Sequence, residues 1–219
     1  MSGDPGFGPP AVGGGTFDDS IFVVDQSRCI GCQACVQACE ECGTHRGRSM
    51  IQLDDVDSGP AGTRQTAPTV CMHCTDPTCA RVCPADAIKQ NEDGVVQSAL
   101  EPRCIGCSNC VIACPFGVPR MISEIDLMMK CDLCLDRTSV GGKPMCASVC
   151  PSDALWYGTP DEFAATRRGR LGSAFVFGNQ RVTTKVQVVL DEPGPLDVLA
   201  GRDAPRAWLD DPFALEEPV

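Results

Sequence analysis

Seventeen cysteines stand in this 219-residue chain, and sixteen of them fall into four runs of four. Cys29, Cys32, Cys35 and Cys39 form C-x2-C-x2-C-x3-C, and so do Cys104, Cys107, Cys110 and Cys114. Cys71, Cys74, Cys79 and Cys83 form C-x2-C-x4-C-x3-C, and Cys131, Cys134, Cys146 and Cys150 form C-x2-C-x11-C-x3-C. Proline follows the last cysteine of the second, third and fourth runs, whereas Glu40 follows Cys39. Thiolates at this spacing suit iron. Three on a tight loop reach three irons of one [4Fe–4S] cubane, and the fourth, a helical turn further on, ligates the other cluster of a pair. The chemistry on offer is one-electron transfer rather than bond making on a substrate.

Twenty residues separate the second run from the third. Between them, Asp93-Gly94 reads as a turn and Val95-Val96 as a short strand. That is the layout of a two-cluster ferredoxin. It joins Cys71, Cys74 and Cys79 with Cys114, and Cys104, Cys107 and Cys110 with Cys83. By elimination, Cys29, Cys32 and Cys35 take Cys150, while Cys131, Cys134 and Cys146 take Cys39. The topology is one ferredoxin nested inside another. A tandem pairing, first run with second and third with fourth, stays open because it follows an internal repeat. RCIGCQACVQAC at Arg28 returns as RCIGCSNCVIAC at Arg103, 75 residues on; CARVCPADAI at Cys79 returns as CASVCPSDAL at Cys146, 67 residues on. The runs therefore alternate A, B, A, B. In the A runs, Ile30 and Ile105 are expected to shield the clusters from water, and Gly31 and Gly106 to let the loop approach closely.

Disulfides and zinc are the competing uses of so many thiols. The count is odd, the cysteines crowd at C-x2-C spacing, and the start of the sequence shows no basic and apolar segments of a signal peptide, all of which argue against disulfides. Zinc sites also use C-x2-C pairs. The third cysteine at regular spacing and the isoleucine beside the metal favour iron–sulfur. Cys42, the seventeenth cysteine, reads as a spare thiol, with ligation in place of Cys39 as the alternative. His73, inside C-M-H-C, reads as donating to a cluster sulfur or tuning its potential, and Lys130, beside Cys131, as tuning by charge. His45 carries no signal of its own.

The surrounding elements must be slight. Only 5% of residues are aromatic, with 22 Gly and 18 Pro, so metal centres rather than a large apolar core are expected to hold the fold. The net charge of −11 argues against nucleic-acid binding and suits a basic partner face. No run of apolar residues is long enough to span a membrane. The fold class expected is α+β: two nested two-cluster ferredoxin-like modules with loop-rich insertions and a C-terminal β-hairpin. Residues 1–19 read as an extended tail, 20–70 plus 120–160 as the outer module, 71–119 as the inner module, and 161–219 as an extension that covers the cluster core or docks a partner. Strands are expected at Ile21–Val24 and, within a loop over 43–68, at Met50–Leu53. Residues 135–145 read as a surface loop. A hairpin is expected from Phe175–Phe177, a Gly178-Asn179 turn and Val182–Leu190, with Val182, Thr184, Val186, Val188 and Leu190 on one face.

Taken in order, with these gaps, the four runs resemble the four-cluster electron-transfer (beta) subunits of molybdopterin oxidoreductases. That family includes those of dimethyl sulfoxide reductase, formate dehydrogenase, polysulfide reductase and nitrate reductase. The resemblance covers about residues 20–160, including CMHCTDPTCARVCP and KCDLCLDR. It implies four [4Fe–4S] clusters in a line, because all sixteen cysteines are kept. It also implies a molybdopterin-containing catalytic partner, and a second partner such as a membrane quinone-reactive subunit. No Rossmann or P-loop motif and no nucleophile–base constellation suggests catalysis by this protein on its own. A soluble electron donor to a hydrogenase or aldehyde oxidoreductase is the alternative, and an iron–sulfur redox sensor a further one. The expected location is cytoplasmic, peripheral on the membrane through a partner, with export beside a signal-bearing partner as the other route.

Overall fold

The computed structural model describes residues 20–57, 64–167 and 169–190. The tail at 1–19 and the acidic, Pro-rich end at 191–219 lie outside the described residues. The fold is mixed α/β, with short helices and small sheets. In chain order the elements are β1 (Ile21–Val24), α1 (Ala34–Glu40), β2 (Gln52–Asp57), β3 (Arg64–Thr69), α2 (Thr78–Arg81), α3 (Asn109–Ala113), β4 (Arg120–Ile122) and β5 (Leu127–Met129). Then follow α4 (Leu135–Thr138), α5 (Met145–Val149), β6 (Leu155–Gly158), α6 (Pro160–Thr166), β7 (Arg170–Phe177) and β8 (Gln180–Leu190). Among the described residues, no helix is long and apolar enough to cross a membrane.

One four-stranded sheet, ordered β6-β1-β8-β7, ties the ends of the described residues together. β1 is an unbroken apolar run, as befits a strand with neighbours on both edges. It pairs antiparallel with β6, from Ile21 opposite Gly158 to Val24 opposite Leu155, and parallel with β8 through Val23–Gln187 and Val24–Val188. The first and fourth cysteine runs follow β1 and precede β6, so this pairing brings together segments more than a hundred residues apart. The Asp25 N–H to Ala154 O bond at 2.7 Å and the Arg28 Nε to Ser152 O bond at 2.8 Å extend the seam toward the cysteines.

The C-terminal hairpin lies within the body of the fold. Thr184, Val186 and Val188 are buried on one face of β8, as the alternation predicts. Backbone N–H groups of Thr75, Lys185 and Val186 join this strand to the second cysteine run. Phe116, just past the third run, packs edge-on against Phe175 and Phe177 with ring centroids 5.1 and 5.2 Å apart. Such pairs contribute about 0.5–1.5 kcal/mol each beyond their buried area. Thr159 and Glu162 form a reciprocal capping box that starts α6, worth about 1 kcal/mol.

Three local expectations change, the first two because backbone donors are diverted to side chains. Val95-Val96 makes only an isolated bridge between Val96 and Gln90. The Val95 N–H goes to Asn91 Oδ1 at 2.7 Å and the Val96 N–H to His73 Nδ1 at 2.9 Å, leaving no donors for a ladder. The strand expected at Met50 begins instead at Gln52, because the Met50 N–H is given to Cys39 Sγ at 3.3 Å and the Ile51 N–H to Ser49 Oγ at 3.4 Å. From Gln52 the insertion forms the β2–β3 hairpin, Gln52 opposite Thr69. Residues 135–145 are not all loop: α4 forms there, and the Gly142 N–H closes back on Arg137 O at 2.9 Å.

Candidate metal centres

All four runs present their thiols with one device. The third cysteine is the second residue of a short helix: Cys35 in α1, Cys79 in α2, Cys110 in α3 and Cys146 in α5. The fourth follows four residues later, about one turn and roughly 6 Å along the axis. The approach differs between repeats. In the A runs the loop turns through left-handed residues, Gly31 (φ 69°) and Gln33 (φ 60°), then Gly106 (φ 66°) and Ser108 (φ 60°). A Cβ on Gly31 would also meet Thr66 at 3.2 Å, and the Thr66 hydroxyl is itself 3.2 Å from Cys29 Sγ. The B runs also turn through left-handed residues, His73 (φ 46°), then Leu133 (φ 58°) and Cys134 (φ 49°), but there a proline, Pro77 or Pro144, opens the helix.

The thiols gather into four sets. Cys29, Cys32, Cys35 and Cys150 line one cavity, with Ile30, Leu53 and Leu155 around them. Cys83, Cys104, Cys107 and Cys110 line another, with Ile105, Ile88 and Met128. In the third set, burial and then negative charge on Cys71, Cys114 and Cys79 push the Cys74 thiol up to about 12. In the fourth, burial and then Cys131 and Cys39 push Cys146 well above the ordinary thiol range. The Cys35 thiol, raised by burial and then by Cys150, stands at about 11.

This donor chemistry fits iron. Thiols raised by burial and by one another, such as Cys35, Cys74 and Cys146, need a cationic centre to take them as thiolates. All seventeen cysteines are free, so no disulfide competes for them. Backbone donors also converge on two of the fourth cysteines: Met50 N–H on Cys39 Sγ and Ala87 N–H on Cys83 Sγ, both at 3.3 Å.

The sets differ in depth. Cys32 and Cys107 are exposed, whereas Cys39, Cys131, Cys134 and Cys146 are buried and Cys71, Cys74, Cys79 and Cys114 are intermediate. Ile30 and Ile105 do line their cavities, but each is 67% exposed, so they rim the opening rather than seal it. The left-handed glycine beside each carries the loop to the surface and leaves the side chain on the outer edge.

Around the inner sets lies a buried polar layer. His73 is fully buried; its Nδ1 accepts the Val96 N–H, while Nε2 has no protein partner. Burial, then the charges of Lys130 and Lys185, hold its pKa well below the usual histidine range, so it is neutral. Lys130 donates from Nζ to the carbonyls of Val96 and Cys131, the latter at 2.8 Å, and lies 3.6 Å from Cys71 Sγ. Sequence reasoning singled out both residues. It missed His45 and Asp132. His45 is buried with Nδ1 3.2 Å from Cys39 Sγ and Nε2 3.1 Å from Asp132 Oδ1. Burial alone would depress this imidazole, but hydrogen bonds to Asp132 and the cysteines outweigh it and hold its pKa at about 12. No local pattern marks it, because its partner lies 87 residues away. Cys42 is buried too, in hydrogen-bond contact with Cys134 and 3.2 Å from Thr44 Oγ1.

Known proteins are similar to this chain in sequence. The family model for a 4Fe-4S dicluster domain matches residues 63–159, and that for a 4Fe-4S binding domain matches residues 20–41. The thiosulfate reductase electron transfer subunit of Salmonella typhi is 39% identical over 148 residues, covering 65% of this sequence and 77% of that protein. The protein belongs to the iron–sulfur subunit family of molybdopterin oxidoreductases. The B subunit of the anaerobic dimethyl sulfoxide reductase of Escherichia coli, another member, is 39% identical over 152 residues, 64% of this sequence and 74% of that one. The formate dehydrogenase iron-sulfur subunit of Haemophilus influenzae is 37% identical over 161 residues. That match covers 64% of this sequence and only 51% of the relative, so the chain spans about half the length of that subunit. The family's cofactor, the [4Fe–4S] cluster, agrees with the donor sets described above.

Proposed function

We propose that this chain is an electron-transfer subunit holding four [4Fe–4S] clusters in a row, with no substrate chemistry of its own. Each cluster, when bound, takes up and releases a single electron. The ligands are the four sets: Cys29, Cys32, Cys35 and Cys150; Cys131, Cys134, Cys146 and Cys39; Cys71, Cys74, Cys79 and Cys114; Cys104, Cys107, Cys110 and Cys83. Their order along the molecule follows from the groups that link them. Helices α1 and α5 pack together, and Cys146 feels the charge of Cys35. Cys131 in turn feels Cys71. Helices α2 and α3, in contact, join the last two sets.

The observation that carries the reading is exposure at both ends of this row. Cys32 and Cys107, in the first and last sets, are the exposed cysteines, and the two inner sets offer none. A protein that only stored electrons or sensed oxidant needs one port, whereas a conductor needs two. The nested architecture, with 20–70 and 120–160 as an outer module around 71–119, is supported by the β1–β6 pairing and by the two cavities whose fourth cysteine comes from the partner run.

The partners proposed are a molybdopterin-containing catalytic subunit at one port and a membrane-anchoring or other redox subunit at the other, with the chain peripheral on the membrane through that partner. Gentle anaerobic purification, with identification of co-purifying proteins and metal analysis, tests this. A molybdenum or tungsten subunit should accompany the chain. Co-purification with a hydrogenase or an aldehyde oxidoreductase lacking such a companion would replace this reading with the soluble-donor one.

A further inference from the structure

The junction between the two inner cysteine sets contains a buried cation that, among the described residues, makes no ion pair with a carboxylate. Among the described residues Lys130 is the only fully buried lysine or arginine, and no part of it reaches solvent. Its Nζ meets three acceptors: Val96 O, Cys131 O at 2.8 Å and Cys71 Sγ at 3.6 Å. Three acceptors match the three donors of an ammonium, which has no lone pair of its own. The adjacent carboxylate is engaged elsewhere. Asp132 Oδ1 takes the His45 Nε2 contact at 3.1 Å and the Cys134 N–H at 3.0 Å. His73, bonded to the N–H of Val96, carries an imidazole and so brings no negative charge. Asp132 feels the charge of Lys130 but does not touch it, and a buried ammonium without a direct anionic contact is costly; the sulfur it does touch, Cys71 Sγ, points to what the thiols hold as that anion. A cubane bound by four thiolates is a net anion and becomes more negative on reduction, and net charge and hydrogen bonds to sulfur set its potential.

We propose that Lys130 is the counter-ion of the cluster held by Cys71, Cys74, Cys79 and Cys114, raising its reduction potential, with a smaller effect on the cluster held through Cys131. The ordering of the two effects is geometric. Nζ touches a ligand sulfur of the first set but only the carbonyl of Cys131. Val96, its N–H held by His73 and its carbonyl oxygen by Lys130, fixes the ammonium in place. This inference rests on the reading of the four cysteine sets as cluster ligands.

The test is a redox titration followed by EPR on the anaerobically purified holoprotein, beside iron analysis. In Lys130→Gln, one cluster should shift to more negative potential, and it should be the one whose signal changes in Cys71→Ser. Lys130→Arg should restore a value near wild type, since charge rather than side-chain length is at stake. Unchanged potentials in Lys130→Gln at full iron content would overturn the role of Lys130 while leaving the clusters untouched. A wild-type protein without iron would instead overturn the underlying reading. Should Lys130→Gln fail to load, wild-type protein labelled with ¹⁵N-lysine decides the matter. Pulsed EPR should detect a ¹⁵N coupling at one reduced cluster, and its absence would refute the contact.

Discussion

The A runs and the B runs share a spacing device, yet the fold treats them in opposite ways. Both A runs supply three cysteines to an end cavity, with an exposed thiol, Cys32 or Cys107, and an isoleucine at its rim. Both B runs supply three cysteines to an inner set, and buried polar groups lie against these: Lys130 beside Cys71, His45 beside Cys39, Asp132 beside Cys134. Repetition in sequence has thus become a division between sets that carry an exposed thiol and sets that carry none. Exposed sets need surface and little else. Enclosed sets need charge and hydrogen bonds, because desolvated anions are stabilised only by groups the protein brings with it.

The sharpest way to break this contrast is to remove one ligand from each class. Cys146→Ser should lose iron from more than one set and accumulate poorly, since Cys146 sits where α5 packs on α1 and ligation is coupled to folding. Cys32→Ser should keep most of its iron, out of about sixteen per wild-type chain at four per set. Equal losses in iron analysis would erase the distinction between rim and interior.

Next in size is the exchange of fourth cysteines. Cys150→Ser should disturb the signal that depends on Cys29, Cys32 and Cys35, and Cys83→Ser the one that depends on Cys104, Cys107 and Cys110. EPR of the reduced variants separates these. If Cys150→Ser instead alters the signal dependent on Cys104, the runs pair in tandem.

His45→Ala should lower stability by about 3–5 kcal/mol, because it strands Asp132 in the interior. Chemical denaturation under anaerobic conditions measures the change; a loss below about 1 kcal/mol would show that solvent reaches the pair. The smallest effect is expected at Cys42. Cys42→Ser should leave iron content unchanged and shift only the cluster held through Cys134, with which Cys42 is in contact. Loss of a whole cluster in that variant would make Cys42 a ligand and displace Cys39.

Much of this was legible in the amino-acid sequence. The four runs, the alternation of repeats and the amphipathic β8 are local patterns, and local patterns survive in one dimension. His73 and Lys130 were marked because they adjoin cysteines. His45 was invisible, being 87 residues from the carboxylate that holds it. The Val95-Val96 strand failed for a related reason: side chains of Asn91 and His73 took the donors that a ladder requires.

What the sequence determined by itself is the chemistry: cysteines at these spacings, each a helical turn apart at the third and fourth positions, can hold iron wherever the runs end up. What only the tertiary structure decided is which thiols share a set, which sets meet solvent and where the buried charge falls. These depend on β1 lying between β6 and β8, a pairing made by the cooperative burial of strands from distant parts of the sequence. No single segment carries its signal.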